Sequence, residues 1–416
     1  MADASRIPWF SRVTAKTALT FDKGDILNIR DIEQSLENLK RVPSSDANIE
    51  ILPASGDSAA LGESDIKITY KQTFPFRLNL GINDSGSKAT GKWQGTAALS
   101  WDNLFSANDL LYGSFSHSLK RHSDDDGARA SESHSLYYSV PFGYWLFSAS
   151  FSRNQYHQQV FGAFNNNYLY SGETQTTHAN LSYMLYRDGS RKTRLAGGFW
   201  SRHSKNYIDG SEIDVQHRRL AGWEANISHT EYLGESILSA TLGYKRGTGI
   251  RKSEHVVEER RNEGTSRLKI ISADISLTVP FRIGNQRWQF TTDWQSQWNK
   301  TPLILADRLS IGGRYTVRGF DGELTLTGDR GWIWRNDISW NAFDNQWIYL
   351  ALDAGRVKGG ANRDMQSGNH LVGTAMGIKG GWKGFYYDFF VGCPLAKPSG
   401  FRTSGSVTGF NVGVSF

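Results

Sequence analysis

The sequence predicts an all-β transmembrane barrel of about sixteen antiparallel strands, preceded by a partial α/β domain. Composition is the first reason: Gly is abundant at 43 residues, Pro is scarce at 9, and aromatic residues make up 13% of the chain. Mean hydropathy is −0.48, and no stretch approaches the ~20 consecutive apolar residues that a membrane-spanning helix needs. The second reason is a repeated pattern of short alternating strands, which show lipid only every second side chain and can therefore be polar on average.

Residues 1–72 are predicted to form the small α/β domain. An amphipathic helix is expected after the N-cap residue Asn28, because apolar residues recur there at helical spacing, at Ile29, Ile32, Leu36 and Leu39. A weaker helix at about 10–20 precedes it, and two strands follow within 48–52 and 65–71. Since a two-stranded sheet is thin, we expect the domain to be partial, with its first strand missing before residue 1.

Residues 73–416 are predicted to form the barrel, with runs near the ~9–11 residues of a tilted membrane strand. In the last run Phe410, Val412, Val414 and Phe416 share one face, which we interpret as a C-terminal strand signal. A soluble edge strand with this face would invite aggregation, whereas a closed barrel pairs it with the first strand and turns the face to lipid. The predicted strands start near residues 74, 91, 109, 132, 144, 168, 191, 217, 236, 266, 286, 328, 346, 370, 384 and 404.

The connections between these strands alternate in length. Short links, such as 141–144 and 188–190, are expected at the periplasmic end, and long ones at the outer end. The longest connection runs from about 300 to 327. Loops of this length without secondary structure of their own are mostly functional or disordered.

Disorder is disfavoured for this long loop, because glycines alternate with Tyr315, Val317 and Phe320 in a pattern typical of a packed hairpin. Arg318 lies at its tip and would need a carboxylate partner. Asp353 is a candidate, because strand alternation places it on the lumen side of a later strand. The alternative is an ordinary solvated loop arginine beside a chance Gly-Phe pair.

The tip residues Val317-Arg318-Gly319-Phe320 resemble the loop-six signature of the outer-membrane superfamily of BamA-type insertases and two-partner secretion (TpsB) transporters. In that superfamily a hairpin folds back into the barrel and its arginine pairs with an acid in an aromatic-x-Asp-x-Gly motif on the wall. Asp353 and Gly355 match the wall motif, and Ala351 stands where the aromatic residue is expected.

Three further segments resemble TpsB transporters of the haemolysin-activator and contact-dependent-inhibition types. Residues 27–45 resemble the second POTRA domain, 83–119 the first two hairpins, and 327–337 the strand after loop six. The resemblance implies a Gram-negative outer-membrane transporter with its POTRA part in the periplasm. It would carry a large TpsA-type exoprotein, whether toxin, haemolysin or adhesin, to the cell surface without nucleotide hydrolysis.

The same resemblance assigns cargo binding to the helix residues Arg30, Glu33 and Gln34. It also implies contact with outer-membrane lipid and lipopolysaccharide, help from the barrel-assembly machinery during insertion, and a monomeric state. We expect no cofactor, no metal and no nucleic-acid partner, since basic residues are interspersed with acidic ones despite the sequence pI of 9.2.

Two rival functions share parts of this pattern. A passive porin would need neither a POTRA-like domain nor the loop-six signature, and a barrel-assembly insertase normally carries several complete POTRA domains. A membrane enzyme such as a lipase is disfavoured, because the sequence has no G-x-S-x-G or H-E-x-x-H motif and its ten histidines are dispersed.

Overall fold

The computed structural model describes residues 2–3, 11–55, 62–120, 128–162, 166–360 and 368–416. Two helices and a three-stranded sheet form the N-terminal domain, namely β1 (Ala2–Asp3), α1 (Ser11–Ala18), α2 (Ile29–Leu39), β2 (Ser45–Pro53) and β3 (Ser64–Gln72). Within the described residues, neither helix is long and apolar enough to cross a membrane. The rest of the described chain is dominated by one closed barrel.

The N-terminal sheet differs from the sequence prediction by one strand. Its order is β1-β3-β2, and β1 pairs in parallel with Thr69 and Tyr70 of β3. A short strand therefore occupies the sheet edge that we predicted to be missing from the chain. Two residues are too few to produce an alternating pattern, so this strand has no periodic signal in the sequence.

Sixteen long strands close the barrel, each antiparallel to its neighbours, and a two-residue strand, β11 (Ser211–Glu212), extends one outer connection. The predicted barrel is thus confirmed, and the largest errors in strand starts are three residues, as at Gln94 for a predicted 91. The strands are β4 (Phe76–Asn83), β5 (Gln94–Asp102), β6 (Leu110–Ser118), β7 (Arg129–Phe142), β8 (Trp145–Phe161), β9 (Asn167–Arg187), β10 (Arg191–Ile208), β12 (Arg218–Leu233), β13 (Ser236–Thr248), β14 (Lys269–Ile283), β15 (Gln286–Asn299), β18 (Arg330–Phe343), β19 (Gln346–Lys358), β20 (His370–Trp382), β21 (Phe385–Ala396) and β22 (Val407–Ser415).

The two faces of the barrel wall follow the alternation of the sequence. On β19, Leu350 and Leu352 are exposed on the outer surface, whereas Tyr349, Ala351 and Asp353 are buried on the inner one. This arrangement offers apolar side chains to lipid and encloses the polar ones, as membrane barrels require.

The N-terminal domain packs against the end of the barrel that carries the short turns. The Thr14 hydroxyl donates a hydrogen bond to the Ser106 carbonyl at 2.9 Å, and the Asn38 amide donates to the Gly143 carbonyl at 2.8 Å. Ser44 N–H donates to the buried Asp102 carboxylate at 3.0 Å. The long connections, including 300–329, therefore lie at the opposite end.

The barrel closes where β22 meets β4, through five register pairs from Asn411–Asn83 to Ser415–Asn79. The backbone groups of Leu78 and Phe416 add two more hydrogen bonds at this seam. The predicted C-terminal signal lies here: Val412 and Val414 are half-buried opposite β4, and Phe416 is exposed at the end of the wall.

Candidate functional site

The connection between β15 and β18, residues 300–329, is called loop six below. It begins with a single 3-10 turn at Leu305–Asp307, and its two arms pair as β16 (Leu309–Ile311) and β17 (Leu326–Gly328). Both arms pack against the inner face of β19, and β16 also packs against β18. The loop is therefore folded inside the barrel, and its tip carries the predicted signature.

Arg318 is fixed at this tip by two carboxylates of the barrel wall. Its Nε donates to Asp353 Oδ2 at 2.6 Å and its Nη2 to Asp353 Oδ1 at 2.7 Å, which is a bidentate arrangement. Its Nη1 donates to Asp337 Oδ1 at 2.6 Å, and its own backbone N–H donates to Asp353 Oδ2 at 2.9 Å. The structure thus brings together the arginine and the acid that the sequence paired.

These charges are largely removed from water. The side chain of Arg318 is 8% exposed, that of Asp353 is 0% and that of Asp337 is 19%. Arg335 lies farther away, with Nε 3.9 Å from Asp353 Oδ2. Two guanidinium groups thus face two carboxylates, so the buried cluster is electrically balanced, and removing one partner would leave an uncompensated buried charge.

Apolar packing holds the residues on either side of Arg318. Val317 and Phe320 are buried in one cluster with Ile311, Leu371 and Phe401. The rings of Phe320 and Phe401 meet edge to face, with centroids 5.8 Å apart. The signature therefore combines two apolar anchors with one charged anchor, and the three act on the same short stretch.

Glycine at 319 is required by both conformation and space. Its φ is +96°, which L side chains rarely adopt, and an added Cβ would lie 2.3 Å from the Cys393 carbonyl oxygen. Gly355 has a related role on the wall, since a Cβ there would lie 3.1 Å from Val317. Both glycines allow the hairpin to approach the wall closely.

Two acidic partners of loop six were missed by the sequence reasoning. Asp337 lies on β18, two residues after Arg335 and on the same inner face, so alternation along this strand was an available signal. Asp84, just past the end of β4, accepts a hydrogen bond from Arg314 Nη2 at 2.5 Å. Nothing in the local sequence linked these two residues, which are 230 positions apart.

The residues assigned to cargo binding lie on α2 beside the barrel. Gln34 is buried and its side-chain oxygen accepts from Arg187 at 2.9 Å. Glu33 accepts from Arg30 Nη1 at 2.7 and 2.8 Å and is only partly buried. Arg30 and Glu33 are therefore partly exposed, and Glu33 joins Gln34 in contacting Arg187 of the wall, with Arg187 Nε 3.4 Å from Glu33 Oε2.

Glu37, one turn after Glu33, is the centre of a second ionic cluster, the junction cluster of Glu37, Arg187, Lys192 and Arg194. The carboxylate accepts from Arg187 and Lys192 at 2.6 Å each and from Arg194 at 2.9 Å. Burial raises the pKa of Glu37, but the hydrogen bonds and charges of Lys192 and Arg187 outweigh it and hold the pKa below 4.5. This cluster ties α2 to the ends of β9 and β10.

The described part of the chain offers no candidate metal centre. No group of three or more histidine, cysteine or acidic side chains there is placed to hold a metal ion. The arrangement offers a polar enclosed passage, a folded loop inside it and a small domain at one mouth.

Comparison with known proteins identifies this arrangement. The family profile of haemolysin secretion/activation proteins ShlB/FhaC/HecB matches residues 62–380, and a POTRA domain profile matches residues 3–53. The outer membrane transporter CdiB-2 of Burkholderia pseudomallei is 35% identical over 97% of this chain and 68% of its own length.

Solved structures agree in fold. CdiB from Acinetobacter baumannii superposes with a TM-score of 0.86 at 32% identity, over 100% of this chain and 73% of its own. BamA from Haemophilus ducreyi, at 14% identity and a TM-score of 0.60 over 97% of this chain and 81% of its own, shares the fold alone. This chain therefore belongs to the ShlB/FhaC/HecB family of outer-membrane two-partner secretion transporters.

Proposed function

We propose that the chain conducts a large TpsA-type exoprotein, unfolded, from the periplasm through the barrel to the cell surface. The carrying observation is the Arg318 hairpin, which is seated inside a polar lumen by Asp353 and Asp337. A passive pore has no need of such an internal element. Relatives named as a CdiB transporter and as the haemolysin transporter ShlB of Serratia marcescens support the same class of cargo.

Residues 1–72 act as the second POTRA domain of the transporter and residues 73–416 as its barrel. The domain receives the exoprotein at the mouth that carries the short turns. Arg30 and Glu33 are partly exposed at that mouth and contact the passing chain, while Gln34 and Glu33 both hold α2 in place through Arg187. Within the described residues β2 is an edge strand of its sheet, and we assign its outer edge to pairing with an extended segment of the cargo.

Transport requires no cofactor and no nucleotide hydrolysis, and the chain is not an enzyme. Directional movement instead comes from folding of the exoprotein on the outer side. Confinement in the lumen keeps the passing segment extended until it emerges.

The outer surface of the barrel contacts outer-membrane lipid and, at its outer rim, lipopolysaccharide. Phe410, Val412, Val414 and Phe416 present the final strand to the barrel-assembly machinery during insertion. Because each wall strand already pairs on both sides, the barrel needs no second copy to complete its sheet, and we assign it as a monomer.

The deciding experiment co-expresses the full transporter with the large exoprotein encoded beside it and measures cargo in the medium at equal barrel levels. Arg318→Ala should abolish most secretion while the barrel still inserts, because Asp353 and Asp337 lose the guanidinium that seats the hairpin. Arg153→Ala is the matched control, since Arg153 pairs with Glu173 across the wall without touching loop six.

Two results would contradict the proposal. Equal secretion by the Arg318→Ala and parent proteins would remove the hairpin from the mechanism. Absence of cargo with either protein, together with steady ion conductance of the purified barrel, would favour a porin-like channel.

A further inference from the structure

Among the residues that the structure describes, loop six contacts the barrel wall at two ionic sites besides the Arg318 seat. The first involves residues 303–307 at the start of the loop, called the entry arm below, where Asp307 accepts a hydrogen bond from Arg202 Nη2 of β10 at 2.7 Å. These side chains are 4% and 14% exposed, so the pair is enclosed. Gln297 of β15 adds a hydrogen bond to the Asp307 carbonyl at 3.0 Å.

Apolar packing accompanies this contact. Leu303 and Ile304, just before Asp307, are buried with Trp200, Leu220 and Leu268. Trp200 and Leu220 belong to β10 and β12, so the entry arm of loop six packs against that side of the wall. The Arg202–Asp307 pair thus lies at the edge of a built contact surface.

The second site involves the tip and the barrel seam. Arg314 Nη2 donates to Asp84 Oδ1 at 2.5 Å, and the same oxygen accepts from the Phe410 backbone N–H of β22 at 2.9 Å. The guanidinium also lies over the Phe390 ring, 5.0 Å from its centroid. Asp84 therefore joins loop six to both strands of the seam.

The three sites are spread around the whole circumference. Counting long strands in barrel order, Arg202 on β10, Asp353 on β19 and Asp84 at the end of β4 are six, four and six positions apart. Each gap is less than half of the sixteen-strand ring. Viewed along the barrel axis, a triangle through the three sites therefore encloses that axis, so the wall contacts of loop six are distributed on all sides of the lumen.

The three sites also differ in strength. Arg318 donates side-chain hydrogen bonds to two carboxylates, whereas the Arg202–Asp307 and Arg314–Asp84 contacts each use one guanidinium nitrogen on one carboxylate oxygen. Multiple charge-assisted bonds hold their geometry more firmly than single ones.

We propose that Arg202–Asp307 and Arg314–Asp84 are tethers that hold loop six across the lumen and that, with fewer hydrogen bonds than the Arg318 seat, they break before it does. Arg202 and Arg314 are therefore positioning residues for transport. Breaking either tether frees one side of the loop and opens part of the lumen. This inference rests on the proposed function only where it concerns secretion. Closure of the lumen in the purified barrel depends on the chain alone.

The test is ion conductance of the purified full chain in planar bilayers. Arg202→Gln and Asp307→Asn should each raise mean conductance several-fold over the parent. The exchanged pair, Arg202→Asp with Asp307→Arg, should return it towards the parent value, because the ion pair is rebuilt with reversed polarity. Arg153→Gln is the matched control, because it breaks the wall-to-wall pair with Glu173, 2.9 Å apart, and should leave conductance unchanged.

Faster migration of unheated protein on denaturing gels verifies that each variant is a folded barrel. Conductance equal to the parent in Arg202→Gln, or an exchanged pair as leaky as the single variants, overturns the proposal. Secretion by the parent is scored separately. A conductance result as expected without any secretion would refute the transport function and leave the tethers established.

Discussion

The chain contains two ionic clusters that both hold several close ion pairs but differ in their exposure to water. At the junction cluster, Glu37 faces three cations, yet its side chain is 30% exposed and that of Arg194 is 40% exposed. At the Arg318 seat, Asp353 is fully buried and the arginine nearly so. Surface ion pairs contribute little to stability, whereas breaking a buried one is costly.

This difference indicates different mechanical roles. Each cluster contains three ion pairs, so access of water, and not the number of pairs, separates their energies. We therefore expect the N-terminal domain to shift relative to the barrel at modest cost, and the hairpin tip to stay seated.

The largest effect is expected when the buried cluster loses one charge. Asp353→Asn should lower the free energy of unfolding by about 3 kcal/mol, because Arg318 keeps only the partly exposed Asp337 as a full counter-charge. Urea unfolding of the barrel in lipid vesicles, followed by tryptophan fluorescence, measures this. The double variant Arg318→Met, Asp353→Leu should be less destabilised than Asp353→Asn, since it leaves no unpaired charge. An equal loss of unfolding free energy in Glu37→Gln would show that exposure to water does not separate the two clusters.

A smaller effect is expected from crowding the hairpin against the wall without changing any charge. Gly319→Ala should cost about 1–3 kcal/mol in the same unfolding experiment, because the new Cβ meets a backbone carbonyl and φ is left-handed. Gly313→Ala is the control, since its Cβ would meet only Gly322 Cα at an ordinary 3.5 Å. Similar losses in both variants would show that the tip is not tightly seated.

The smallest effect is expected at the junction and depends on pH. The pKa of Glu37 is held below its ordinary 4.5 when the domain is docked. The contribution of the Glu37 carboxylate to docking of the N-terminal domain is therefore full above the ordinary pKa. It is lost as the pH falls through the lowered pKa. Spin-label distances between α2 and β9 should broaden as the pH falls below the ordinary pKa of a glutamate and through the lowered pKa of Glu37. In Glu37→Gln they should be broader at neutral pH and less sensitive to acid, and identical profiles for the two proteins would contradict this role.

The sequence alone predicted those features of the fold that depend on local patterns of residues. Alternation located the starts of the barrel strands to within three residues, although several strands, such as β9 with 21 residues, are longer than predicted. Helical spacing with Asn28 located α2, whose N-cap side chain accepts from Arg30 N–H. The pairing of Arg318 with Asp353 came from a motif resemblance joined to lumen-facing alternation.

The remainder depends on contacts that no local pattern carries. Arg202 and Asp307 are 105 residues apart, and each taken alone reads as an ordinary charged residue. Gln34 lies on a helix face whose partner, Arg187, comes from a barrel turn 153 residues away. Only closure of the barrel brings such residues together.

The seam sets an order for assembly. Asp84 and Phe410 meet across 326 residues of chain, whereas Arg318 and Asp353 are separated by only 35. Closing a longer loop costs more conformational entropy, so the hairpin is able to settle on β18 and β19 while the wall is still an open sheet. We therefore expect loop six to settle on the wall first and to be enclosed when the barrel closes. Its placement in the lumen then reflects the order of assembly.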